Sequence, residues 1–272
     1  MSELFEELAA ALRAERPAAL AEVIEGPGEL LGGKLLLLPG TPGGVLGSLG
    51  DPDLDRVVAR DAAGELAAGL TATRHYGLHG EARARDVSVF IESFAPPPKM
   101  VIFGAVDFTA ALAKVSKVLG YRVTVCDARP VFATRARFPM ADEVVVAWPD
   151  KHLAEVGASL GQRDVVCVLT HDPKFDVPAI TSALRTDVGY LGAMGSRRTT
   201  LERIERLREA GVDDAGLSRV MGPIGLDIGA RTPEETAVAI CAEIIAMRTG
   251  KPAPSLRDRE GPIHPPGPQG SA

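Results

Sequence analysis

The sequence predicts an α/β protein: a Rossmann-like parallel-sheet domain preceded by a smaller mixed α/β domain. Three observations carry this. From Met100 onward, apolar strand-like runs alternate with helical stretches, the rhythm of a parallel sheet covered on both faces. Before residue 94, short strand candidates are separated by Gly and Pro signals. Between the two lies Ala95-Pro-Pro-Pro98, a stiff connector that neither side absorbs. The implied boundaries are 1–94 for the first domain, 95–99 for the linker and 100–249 for the Rossmann-like domain. A Pro-rich, charged tail at 250–272 reads as disordered.

Residues 4–15 carry apolar groups at helical spacing. Short strands follow at 19–24, 34–38 and 44–49, then a helix at 53–68 and a strand at 87–92. In the second domain the strands are expected at 100–104, 122–126, 143–147, 164–170 and 188–192. The helices are expected at 108–119, 150–159, 176–185 and 198–209. These strands are continuous apolar runs, as a doubly covered sheet requires. The last helix is marked by Thr232-Pro-Glu-Glu235, which puts Pro at the first helical position and Glu at the capping-box position. Gly250 ends it.

A chain of 272 residues can bury a core in each of two modest domains. The net charge of -6 gives no general electrostatic reason to bind nucleic acid or an anionic membrane. No long charge-free apolar segment suits stable membrane insertion, and the acidic N-terminus lacks a signal-peptide basic region, so a cytoplasmic location is the expectation. Cys126, Cys167 and Cys241 form no C-x-x-C pair or zinc spacing and read as small buried hydrophobes. No metal site is expected. His75 and His79 read as surface or loop histidines.

The candidate ligand residues cluster where strands end. After Met100–Gly104, a G-x-G-x-x-G loop would place Gly at 106 and 109, but Val106 and Thr109 stand there. The second glycine of such a loop lets the backbone approach a pyrophosphate, and the third allows close helix–strand packing. Asp127 follows the second strand, near the spacing at which an acidic residue contacts a nucleotide ribose. Its plainer reading is a strand-end turn. Thr170-His171-Asp172 ends the fourth strand; His171 can exchange a proton or bond a ligand oxygen, and Asp172 orients it or caps the next helix.

Gly192-Ala-Met-Gly195-Ser196-Arg197-Arg198 is the strongest anion cradle. It offers a helix cap, backbone donors and two guanidinium groups after a strand. A salt bridge from these arginines to Glu202 or to a neighbouring domain is the alternative. Asp227 lies in the glycine-punctuated loop Gly222–Ala230, which suggests a shaped crevice, and Gly47–Asp53 could help a ligand reach it.

Taken together, Phe90-Ile-Glu92, Pro96-Pro-Pro98, Val101-Ile-Phe-Gly104, Val125-Cys-Asp-Ala-Arg-Pro130, Thr170-His-Asp172, Gly195-Ser-Arg-Arg198 and Pro223–Ala230 resemble the XdhC/CoxI family. These are accessory proteins of molybdenum hydroxylases such as xanthine dehydrogenase and carbon monoxide dehydrogenase. The resemblance covers most of residues 15–248 and implies binding of molybdenum cofactor (molybdopterin), its protection, and its delivery to an apo-hydroxylase. A molybdenum hydroxylase client, a sulfur donor and a possible homodimer are the partners it implies. Two family features are replaced. Asp53 stands where the family commonly carries a first-domain cysteine, and Gly104-Ala-Val-Asp107 replaces Gly-Ala-Gly-His.

The leading expectation is a non-enzymatic cofactor-binding chaperone with Asp127, His171, Asp172, Gly195, Ser196, Arg197, Arg198 and Asp227 around its crevice. An NAD(P)-dependent oxidoreductase is the alternative enzyme reading. A protein-interaction subunit that has lost cofactor binding is the third.

Overall fold

The computed structural model describes residues 3–82 and 84–258. The chain divides into two compact units that part between Pro96 and Pro97. Part of the tail expected to be disordered, 259–272, lies outside the described residues.

The first unit contains α1 (Glu3–Arg13), β1 (Ala18–Glu25), β2 (Lys34–Leu37), β3 (Val45–Ser48), α2 (Pro52–Ala68), β4 (Ala72–Tyr76) and β5 (Val87–Phe94). Its antiparallel sheet runs β3-β2-β1-β5-β4. The central strand β1 is apolar on both faces because each is covered. Ala18 and Leu20 meet Leu8 and Ala11 of α1, while Ala19, Ala21 and Val23 join Leu54, Val58 and Ala62 of α2. That division follows the period-2 geometry of a strand. Asp51 starts α2 by accepting from the Asp53 and Leu54 amides at 3.0 and 2.9 Å, with Pro52 in the first turn.

The second unit contains β6 (Lys99–Phe103), α3 (Asp107–Val118), β7 (Arg122–Cys126), β8 (Glu143–Val145), α4 (Pro149–Val156), β9 (Val165–Val168), α5 (Pro173–Ala183), β10 (Tyr190–Ala193), α6 (Arg197–Glu209), α7 (Asp214–Ser218), β11 (Val220–Met221) and α8 (Pro233–Thr249). Its six strands are all parallel, in the order β11-β10-β9-β6-β7-β8. Winding goes outward from β6 through β7 to β8, then restarts on the other side with β9. The switch between β6 and β9 is where doubly wound sheets hold ligands.

Each face of this sheet has its own core. Met100, Ile102, Val123 and Cys167 pack with Leu112 of α3 and Ile240 of α8. Val101, Phe103, Val166 and Val168 pack with Leu153 of α4, Ile180 of α5 and Leu207 of α6. The α/β class read from the apolar runs is the one the chain adopts.

Element ends moved for local reasons. The fourth strand starts at Val165 because the Asp164 side chain turns back to accept from the Gly161 and Lys99 amides, at 2.8 and 2.6 Å. Helix α5 starts at Pro173, ahead of its apolar period, because Asp172 caps it by accepting from the Lys174 amide. The capping box at Thr232 and Glu235 forms as read. Among the described residues, no helix is long and apolar enough to cross a membrane.

Candidate functional site

The site is built on the turn that leaves β6. Gly104 has φ +109°, and a Cβ there would sit 2.7 Å from the Thr170 Cγ2 and 3.1 Å from the Thr170 amide nitrogen. Only glycine lets the ends of β6 and β9 come this close. The other two loop positions work differently. Val106 is half-buried, and the fully buried Thr109 donates its hydroxyl to the Gly104 carbonyl. Asp107 projects outward, its side chain 91% exposed, with Arg137 at 3.6 Å.

Asp127, at the end of β7, is buried. Its Oδ2 accepts from the Ala105 amide at 2.8 Å and from Arg129 Nη2 at 2.7 Å. Its Oδ1 accepts from the Arg129 amide and Nε, both at 2.9 Å. Burial pushes the carboxyl up, but Arg129 and the two amides outweigh it and hold the group below the usual carboxylate range. The carboxylate anchors Arg129 and the β6 turn, where a ribose contact would need free lone pairs.

A second ionic anchor lies under the other side. The Thr170 hydroxyl donates to Asp176 Oδ1, and Arg203 Nη2 donates to Asp176 Oδ2 at 2.9 Å and to the Met194 carbonyl at 2.7 Å. Both charged side chains are buried. Burial pushes the Asp176 carboxyl up against the pull of Arg203. The pair joins the ends of β9 and β10 through α5 and α6. Among the described residues, Arg203 Nε and Nη1 meet no hydrogen-bond partner. A Cβ on Gly195 would lie 3.6 Å from that Nη1, so uncommitted donors sit beneath the Gly195 turn.

Between these anchors opens a cleft of about 430 Å³ lined by Val106, Arg129, Thr170, His171, Asp172 and Phe175, with Pro173 beside them. Its volume lies in the range of small-molecule sites. The fold thus brings His171 and Asp172 to one wall, with both side chains exposed. Asp127 stands behind it, holding Arg129. Gly195, Ser196, Arg197 and Arg198 are not among its lining residues, but the Asp176–Arg203 pair ties their turn to it. Ser196 caps α6 by accepting from the Thr199 amide at 3.1 Å. Arg198 bonds Glu202 at 3.0 Å, with its own side chain 89% exposed, a contact of little energetic weight. Asp227 is exposed in the loop before α8 and does not line the cleft. That loop is closely packed: Glu243 accepts from the Gly225 amide at 2.9 Å and from the Tyr190 hydroxyl.

The first-domain candidates lie in the other unit. Asp51 bonds His79 at 2.8 Å, Asp53 pairs with Arg56 at 3.1 Å, and His75 bonds Ser88 at 3.0 Å. All three cysteines are buried and unpaired by disulfides. Among the described residues, no group of three or more His, Cys, Asp or Glu side chains is arranged to hold a metal ion.

Sequence reasoning missed Asp176, Arg203 and the aromatic rim. Trp148 stacks on Phe175 with centroids 4.8 Å apart and planes 26° apart. The Arg129 guanidinium lies 4.7 Å from the Phe132 centroid and 5.7 Å from that of Phe175. The sole tryptophan of the chain was the available signal.

A doubly wound parallel sheet with a cleft at its switch point defines a Rossmann-type domain. The family profile described as the XdhC Rossmann domain matches residues 100–244, and the chain belongs to that family.

Over 195 residues it is 30% identical to a probable xanthine dehydrogenase subunit of Bacillus subtilis (strain 168), covering 66% of this chain and 56% of that one. It is 25% identical to the uncharacterized protein YqeB of Escherichia coli (strain K12), covering 93% of this chain and 47% of the relative. Identity is 24% to the molybdenum cofactor insertion chaperone PaoD of the same organism, covering 60% and 44%. The chain spans about half the length of the curated relatives it matches. A solved structure described as a xanthine dehydrogenase from Bacillus halodurans shares the fold, with a TM-score of 0.54 and 22% identity over 94% of this chain and 98% of that one.

Proposed function

We propose that this chain is an accessory factor that binds molybdenum cofactor and assists its maturation or its insertion into a hydroxylase of the xanthine dehydrogenase or carbon monoxide dehydrogenase type. The observation that carries the reading is the XdhC Rossmann-domain match over residues 100–244. The role of the relative PaoD, molybdenum cofactor insertion, supports the same cargo.

The residues present suit the organic part of that cargo. Its phosphate is assigned to the Gly195–Arg198 turn, where the buried Arg203 donors lack partners and the α6 N-terminus favours an anion. His171, Asp172 and Arg129 supply polar contacts along the cleft. The metal end would not be held by a thiolate of this chain. Burial pushes the Cys126 thiol up to about 12 and the Cys241 thiol up to about 11, and raises that of Cys167. Sulfur would therefore come from a separate donor, and the molybdenum hydroxylase client is the second partner. The role is binding and delivery, without turnover by this chain.

Strand order alone also suits a dinucleotide. Val106 at the approach point and the committed Asp127 carboxylate weigh against an NAD(P) site. To test the main reading, apo-hydroxylase is incubated with released cofactor, with and without the chain. Faster recovery of hydroxylase activity with the wild-type chain, reduced by Arg197→Ala, is the expected result. Recovery at the same rate without it would overturn the reading.

A further inference from the structure

We infer that Trp148, Phe175 and Arg129 form a ledge for a planar heteroaromatic ring, a pterin or a nucleobase, carried on the phosphate-bearing ligand of the cleft. The inference rests on the reading that this cleft holds such a ligand, and it assigns the ring end.

Aromatic residues make up only 4% of the chain. Three of them, Phe132, Trp148 and Phe175, nevertheless gather beyond the carboxyl ends of β7 and β8 and at the start of α5. They are not core residues: Trp148 is 48% and Phe132 41% exposed. Phe175 belongs to both groups, lining the cleft and stacking on Trp148. A ring that enters along this wall meets π-surface and a guanidinium plane, both of which stack on heteroaromatic rings.

Arg129 cannot swing freely, because its Nε and Nη2 are engaged by Asp127. The ledge is therefore preorganised, which lowers the ordering cost of binding. An apolar protein-docking patch would need no concavity. Here the aromatic wall continues into a cavity whose other groups, His171, Asp172 and Thr170, can bond the nitrogen and oxygen edges of a ring. The stacked wall and the anion-favouring Gly195 turn lie at the same carboxyl edge of the sheet, as the two ends of a ring–phosphate ligand require.

Trp148 is the only tryptophan, so its emission reports on this position alone. The full chain is titrated with pterin-6-carboxylate and, separately, with CMP and AMP. Saturable quenching of Trp148 by at least one probe is expected, and the probe that quenches identifies the ring source. Phe175→Leu and Trp148→Leu should each weaken binding about tenfold, whereas Trp148→Phe should restore most of it. Binding to the variants is read by polarisation of pterin emission, or calorimetrically for nucleotides.

Absence of saturable quenching by every probe, or unchanged affinity in folded Phe175→Leu and Trp148→Leu, would overturn the ledge. Released cofactor retained with Trp148 emission unchanged would overturn the ledge and leave the chaperone reading intact. Quenching by simple ring probes without retention of cofactor would support the ledge and remove the chaperone reading.

Discussion

Arg129 grips Asp127 at both oxygens, Nε to Oδ1 at 2.9 Å and Nη2 to Oδ2 at 2.7 Å, while Oδ2 also takes the Ala105 amide at 2.8 Å. One carboxylate thus fixes the turn after β6, the end of β7 and a cation at the cleft rim. The position that a dinucleotide fold uses to contact its ligand here supports Arg129, a residue that lines the cleft.

Asp127→Asn should lower stability by about 2 kcal/mol, because a buried charge-assisted cluster loses its acceptor charge. Thermal denaturation at pH 7 should show a fall of roughly 5 °C. The pH dependence has a definite sign. A carboxyl held below its unfolded value stabilises fully above about pH 4 and ceases to do so as pH falls through the folded value. The gap between wild type and Asp127→Asn should therefore close on acidification below about pH 4. A gap that stays constant would contradict the assignment.

Arg203→Met should be worse. It leaves Asp176 buried beside a hydroxyl and no cation, at a cost of about 3–5 kcal/mol. Adding Asp176→Leu should recover much of that loss, because the uncompensated charge is then gone. Urea denaturation of both single variants and the double variant measures the coupling; additive losses would mean the pair is energetically independent.

Two glycines separate fit from backbone strain. Gly104→Ala meets both a positive φ of +109° and Thr170 at 2.7 Å, whereas Gly120, at φ +82°, has open space. Gly120→Ala should cost about 1 kcal/mol and Gly104→Ala at least twice that. Equal losses in denaturant titrations would show that close approach to Thr170 is unimportant.

The cysteines give a chemical test. With burial pushing Cys126 to about 12 and Cys241 to about 11, little thiolate exists at pH 8. Native protein should react slowly with a disulfide reagent, and all three thiols should react at once in denaturant. Rapid reaction of one thiol in the folded chain would reopen a sulfur-carrier role.

The parallel sheet was legible because its inner strands β6, β9 and β10 are apolar on both faces, and the last helix because it carries a complete capping box. Strand β4 escaped because it is a polar edge strand: Arg74 bonds Glu65 and His75 bonds Ser88, so its contacts are ionic and hydrogen-bonded. Helix α7 and strand β11 were too short to show a period. At the site, His171 and Asp172 were visible as residues at a strand end. Asp176 and Arg203 were not, because each sits within a helix and only tertiary packing joins them. Trp148 and Phe175 meet for the same reason, through the docking of α4 against α5.

The proposed function puts molybdenum cofactor in the cleft at the carboxyl edge of the parallel sheet. Its most direct test is anaerobic incubation of the purified chain with freshly released cofactor, removal of free ligand, and quantification of retained molybdenum and pterin together. Near-stoichiometric retention of both is expected, reduced by Arg197→Ala and by His171→Ala without loss of fold. Failure to retain either, under conditions in which another XdhC-family protein retains both, would contradict it.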